Sequence, residues 1–327
     1  QAFDVCVHVR AFCLGCLLAI FGCGHHLPTP IVEALSHGLT KGARQPVYWW
    51  VADRAGGRIV GFDAQLFPQW VLGVTCPLGV ARAGTGLWVV NAPSCAAHGG
   101  SVWTRIVAGV VRDQPLDAGE FAGLCGLPDG GVLGLVGPSP ARALVHLDEH
   151  GALIRTEMFP GATHLAQVDG RVLVANRAGE LWTFGLTEGL SSARHAQLNR
   201  VPRALAPGPD AGWWWLGDGG ELLLLGPELN VRWSRWVGPR AALLAGDEER
   251  VWVVPDDRGA AVAWGAGGRS LASFTMPSMG AQAAQLTRAG GLLVVFPGAL
   301  LEVDESGHVL RSQAGVDHLV DLSEPGA

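Results

Sequence analysis

A short apolar strand motif that recurs seven times, a second strand that follows each copy, and a C-terminal tail matching the one strand missing from the first copy predict an all-β fold. These features specify a seven-bladed β-propeller with four-stranded blades, the C-terminal strand completing blade 1. The motif reads WWVAD at 49–53, LWVVN at 87–91, LGLVG at 133–137, LVANR at 173–177, WWWLG at 213–217, VWVVP at 251–255 and LVVFP at 293–297. Its turn residues Asp53, Asn91, Gly137, Asn176, Gly217, Pro255 and Pro297 follow one another at about 41 residues, the length of one four-stranded blade.

Each repeat has the same inner order. A run ending in Gly or Asp-Gly precedes the motif, as at 79–86, 164–170 and 285–291. A second apolar strand follows it, at 58–63, 102–107, 143–148, 180–185, 221–226, 260–265 and 300–304. A turn and a fourth strand complete the unit. LDEHGALIR at 147–155 and VDESGHVLR at 303–311 show this best, with Asp-Glu-x-Gly forming the hairpin turn. No helical periodicity interrupts these strands, which excludes a helical solenoid, and the units are too long for the coils of a parallel β-helix. The segment at 34–45 makes a poor inner strand for blade 1, whereas VDHLVDLSEPG at 316–326 matches the inner strand at 164–170. The tail is therefore expected to pair with the first blade and close the ring without a covalent bond, removing exposed sheet edges.

Composition agrees. With 49% apolar residues, 16% charged, 47 Gly and 20 Pro, the chain is not disordered and suits short strands joined by tight turns. Thirteen Trp stand against one Tyr, most of them in strand runs where they fill the space between sheets. A net charge of −6 with no Lys/Arg cluster argues against a nucleic-acid partner and against a polybasic membrane patch.

Residues 1–22 read as an export signal. Arg10 is followed by an apolar run over 11–22, too short to span a bilayer, and then by Cys23. Ile20-Phe21-Gly22-Cys23 resembles the bacterial lipobox, which implies lipidation of Cys23 and attachment to the membrane through that lipid. The chain does not begin with Met; a GTG codon at Val9 would make that residue the initiator and leave residues 1–8 upstream of the protein. Residues 23–46, with Pro28 and Pro30, then form a lipid-anchored tether, and residues 47–327 form the propeller. Cys6, Cys13 and Cys16 fall within the signal. Cys76, Cys95 and Cys125 admit either one disulfide, Cys76–Cys95 within a blade, or three buried thiols.

Blade 1 reads WVADRAGGRIVGFD at 50–63, and blade 2 keeps LWVVN at 87–91 and SVWTRI at 101–106. These repeats resemble the NHL and YVTN type of propeller, in which an apolar strand ends in Asp or Asn before a Gly turn and Arg-Ile-x-x-Phe-Asp. The likeness covers 47–327 as architecture and two blades as motif. No Trp-Asp dipeptide supports a WD-repeat protein, the period is short for kelch, and the Trp-docking repeat of quinoprotein dehydrogenases is missing, so no quinone cofactor is expected.

Propellers bind ligands on their faces and in the central channel, whose wall is the inner strand of each blade. Aligning these strands places Gly79, Cys125, His164, Gln285 and His318 at one level, with Ala or Leu there in blades 5 and 6. His164 and His318 belong to blades 4 and 1, about 150° apart around the ring, so they would flank a ligand but not share a metal. Arg203 and Arg240 precede the inner strands of blades 5 and 6 and complete the candidate binding set with Gln285. Asp218, Asp256 and Asp257 suit turns better than a calcium site. No catalytic elbow, phosphate loop or zinc motif occurs in the mature region, and no metal or other cofactor is expected.

The sequence thus favours a non-enzymatic binding or scaffold module at the bacterial envelope whose partner is a protein or a glycan; it does not indicate an oligomeric state. The competing reading is a propeller enzyme with a site at the channel mouth. A lyase resembling the streptogramin-inactivating propellers would use His164 or His318 as general base, whereas the Glu, Asn and Asp ligands of a metal-dependent lactonase do not assemble here.

Overall fold

The computed structural model describes residues 47–323 except Tyr48, Ala55, Thr75, 93–101, 108–109, 116–119, Met279, Arg288 and 317–318. Seven antiparallel sheets of four strands each follow one another around a ring. Blade 1 is built from Leu319–Ser323, Trp49–Asp53, Arg58–Phe62 and Pro68–Gly73, in that order from the channel outward. Its inner strand is the C-terminal one, with Leu322 opposite Val51 and Ser323 opposite Trp50, so the tail closes the ring as its sequence predicts. Every inner strand lies against the inner strands of the two neighbouring blades.

Burial explains why the second strand of each blade is the legible one. Gly212–Gly217 is buried at every position because a blade packs on each of its faces, so it reads as one apolar run rather than as an alternation. Trp213 and Trp215 turn towards blade 4 and pack with Leu173, Ala175 and Leu181. Trp214 and Leu216 turn the other way and pack with Val251 and Val253 of blade 6. Outer strands such as Val231–Trp236 are mostly exposed. Turn residues behave as their chemistry requires. In blade 1, Asp53 Oδ1 accepts the Gly56 N–H at 2.8 Å while Arg58 Nε donates to Oδ2 at 2.6 Å, closing the Asp-x-x-Gly-x-Arg loop. In the Asp-Glu-x-Gly hairpins, Asp148 Oδ1 accepts the N–H groups of His150 and Ala152, and Asp304 Oδ1 those of Ser306 and His308. These bonds favour the charged form and hold both carboxyls below the usual aspartate range, the Ala152 and His308 amides contributing most.

Two features were not anticipated. First, several tryptophans are fasteners as well as filling. Trp88 Nε1 donates to the Gly130 carbonyl at 3.0 Å, Trp214 to Asp247 at 2.9 Å and Trp252 to Gly290 at 3.2 Å. In each case a second-strand indole reaches the first hairpin of the next blade. Trp252→Phe is expected to lower stability by about 1–2 kcal/mol through the lost bond and ring volume, read as a fall in urea midpoint with unchanged slope.

Second, the inner strands of blades 1 to 6 each carry a β-bulge near their start, leaving Val320, Leu78, Ala122, Thr163, Arg203 and Ala242 unpaired across the ladder. This corrects the expected channel register. His164 lies opposite Ala175 and Gly79 opposite Val90, and the residues equivalent to them are Gly123, opposite Leu135, Ala283, opposite Val295, and in blade 1 Asp321, opposite Ala52, rather than His318. Cys125 and Gln285 instead face Leu133 and Leu293, two residues further along the channel. Counting back from the hairpin glycine misplaced them, because that hairpin spans 127–131 in blade 3 and 287–291 in blade 7 but only 169–170 in blade 4.

Candidate functional site

The top face of the ring, where inner strands begin, carries the connections between blades and those between second and third strands. His164 sits there on Ala162–Val168, directly after the bulge at Thr163, and is half-buried. Its Nε2 is 3.0 Å from the backbone carbonyl oxygen of Arg203 and its Nδ1 is 2.8 Å from the Thr163 hydroxyl. A carbonyl only accepts, so Nε2 carries a proton and donates to it, while Nδ1 is hydrogen-bonded to the Thr163 hydroxyl, which also reaches the Ala175 carbonyl at 3.4 Å. Both ring nitrogens are therefore engaged within the protein, and the imidazole ties blade 4 to blade 5.

Arg203 continues the link. It is the bulge residue of Pro202–Gly208, half-buried, and its guanidinium donates to the Pro239 carbonyl at 3.1 Å, in the connection leading into blade 6, and to Asp256 Oδ2 of blade 6 at 3.3 Å. The Arg203 and Asp256 side chains are 18% and 21% exposed, so water screens the pair and its contribution is modest. Asp256 Oδ1 is buried without a hydrogen-bond partner among the described residues. Arg240 is exposed, and its backbone carbonyl accepts the Asp256 N–H at 2.9 Å. The sequence assigned Asp256 to turn chemistry alone and so missed the ion pair. Asp257 is the turn residue, its Oδ1 accepting the Gly259 N–H at 2.8 Å. The position of Asp256 at the end of a second strand, on the same face as the strand start bearing Arg203, was the available signal.

The remaining candidates are dispersed. Gln285 is half-buried on Ala283–Leu286, deeper in the channel than His164. His318, Cys95 and Cys23 lie outside the described residues. Cys76 is held in a disulfide whose other half is also outside them. Cys125 is not disulfide-bonded, and its thiol lies 3.9 Å from the Leu165 carbonyl oxygen. His146, in blade 3, is buried, and that burial pushes its imidazole below the ordinary histidine range. Among the described residues no three His, Cys, Asp or Glu side chains are grouped to hold a metal ion.

No protein-family model and no curated protein matches the chain. Solved structures do. AztD from Citrobacter koseri aligns with a TM-score of 0.61 at 11% identity, covering 86% of this chain and 99% of that one. A functionally unknown protein from Desulfotomaculum acetoxidans aligns with a TM-score of 0.66 at 13% identity, over 86% and 100%. A streptogramin B lyase aligns with a TM-score of 0.61 at 11% identity, over 78% and 92%. At these identities the likeness is one of fold, and the fold is a seven-bladed β-propeller.

Proposed function

We propose that this propeller is a non-enzymatic binding or scaffold module of the bacterial envelope, held by lipid on Cys23 and presenting its surface to a protein or glycan. One observation carries the reading: His164 and Arg203, the most promising polar groups at the channel mouth, spend their hydrogen bonds on fastening blades 4, 5 and 6 together. A general base needs a ring nitrogen aimed at its substrate, and His164 engages Nε2 with the Arg203 carbonyl and Nδ1 with the Thr163 hydroxyl. The competing lyase reading draws on the fold shared with the streptogramin B lyase and on the same His164. In blade 1, the stretch that carries the NHL and YVTN resemblance, the Asp53–Arg58 bond closes the turn after the second strand.

The test is made on the full chain expressed in a bacterium. Wild type should fractionate with membranes and Cys23→Ser should not. His164→Ala should lower the melting temperature by roughly 2–4 °C, the effect of about 1 kcal/mol in a domain this large, while an envelope partner is retained equally well. Turnover of streptogramin B by wild type that disappears in His164→Ala would overturn the proposal.

A further inference from the structure

The chain buries most of its described tryptophans, six of them among its largest fully buried side chains, yet leaves Trp236 69% exposed at the end of the outer strand of blade 5. That indole is held rather than loose. Its Nε1 donates to the Gly219 carbonyl at 3.3 Å, fixing one edge and leaving ring surface to solvent. It borders an open hollow of about 480 Å³ lined by Arg200, Asp218, Glu221, Ser234 and Arg235 together with Gly217 and Gly219. Opposite charges balance there. Arg200 is ion-paired with Glu221, and Arg235 donates to the Gly268 carbonyl at 3.0 Å and lies over the Trp264 ring, leaving little net field for an anion or cation. An uncharged ligand with one apolar face and a rim of hydroxyls fits this set. Its C–H groups would meet the electron-rich indole face while the Asp218 carboxylate, the Ser234 hydroxyl and the Arg200–Glu221 pair take the hydroxyls.

We infer that the Trp236 hollow is a saccharide subsite, taking one or two neutral sugar rings of a glycan. The inference rests on the binding-module reading and names its ligand class. Chitotetraose and cellotetraose, titrated into the full chain by calorimetry, are the probes. At least one should bind saturably; Trp236→Ala should weaken it about tenfold or more, Trp236→Phe should retain most of the affinity, and Trp70→Ala, altering an indole on blade 1, should change nothing. Circular dichroism checks that each variant is folded, which the exposure of Trp236 favours. Absence of saturable binding by either sugar, or equal binding by Trp236→Ala, overturns the subsite. An envelope protein retained by wild type and Trp236→Ala alike, with no sugar bound, would sink this inference and leave the binding-module reading standing.

Discussion

Gly126→Ala is expected to destabilise the propeller by about 3 kcal/mol or more, well beyond the usual cost of adding one methyl group to a core. A Cβ at Gly126 would overlap the backbone carbonyl oxygen of Arg82, on the neighbouring inner strand. No rotamer change relieves a clash with backbone. Nor can the strands easily separate, since the Gly84 N–H donates to the Leu127 carbonyl at 3.1 Å and nests the first hairpins of blades 2 and 3. Gly134→Ala is a side-chain version of the same problem: its methyl would run into the indole of Trp103, which is fully buried and has nowhere to turn. Gly73→Ala is the control, because a Cβ there meets nothing within 4 Å. Urea midpoints should fall steeply for Gly126→Ala and hardly move for Gly73→Ala. Similar midpoints for the two would show that blades 2 and 3 do not approach this closely.

These glycines mark the boundary of what the sequence makes legible. Second and third strands stand out because blades cover both their faces, giving apolar runs such as WWWLG and VWVVP. The hairpins at Asp148 and Asp304 were legible because their bonds are local. What joins one blade to the next was not. The bonds from Trp252 to Gly290, from His164 to Arg203 and from Arg203 to Asp256 connect residues 38, 39 and 53 apart in the chain, and no local pattern announces such partners. The bulges escaped notice for a related reason: an extra residue at Thr163 or Arg203 changes the pairing without disturbing the apolar run that follows. Trp236 was hidden by its own type, since an indole in a strand reads as core until the neighbouring blade is seen not to reach it.

A chain ending at Val316 is expected to lose the folded monomer altogether. The shortened protein lacks only Leu319–Ser323 among its strands, yet that strand supplies the inner edge of blade 1 and lies between the inner strands of blades 7 and 2. Without it the ladder partners of Trp50, Val51 and Ala52 vanish, and a largely buried apolar strand becomes an open edge. Open edges of this kind recruit other chains, so soluble aggregate on size exclusion is expected rather than a slightly weaker monomer. The loss exceeds a few hydrogen bonds because a ring differs from a row: each blade covers a face on both neighbours, and parting one seam uncovers Val51, Val60 and Phe62 together with Leu293 and Val295 across it. Adding a peptide of residues 317–327 in trans should recover part of the monomer, since the closing strand is held by pairing and packing. A truncated chain that elutes as a monomer with an unchanged urea midpoint would mean that blade 1 stands on three strands, and that the closure contributes little to the fold.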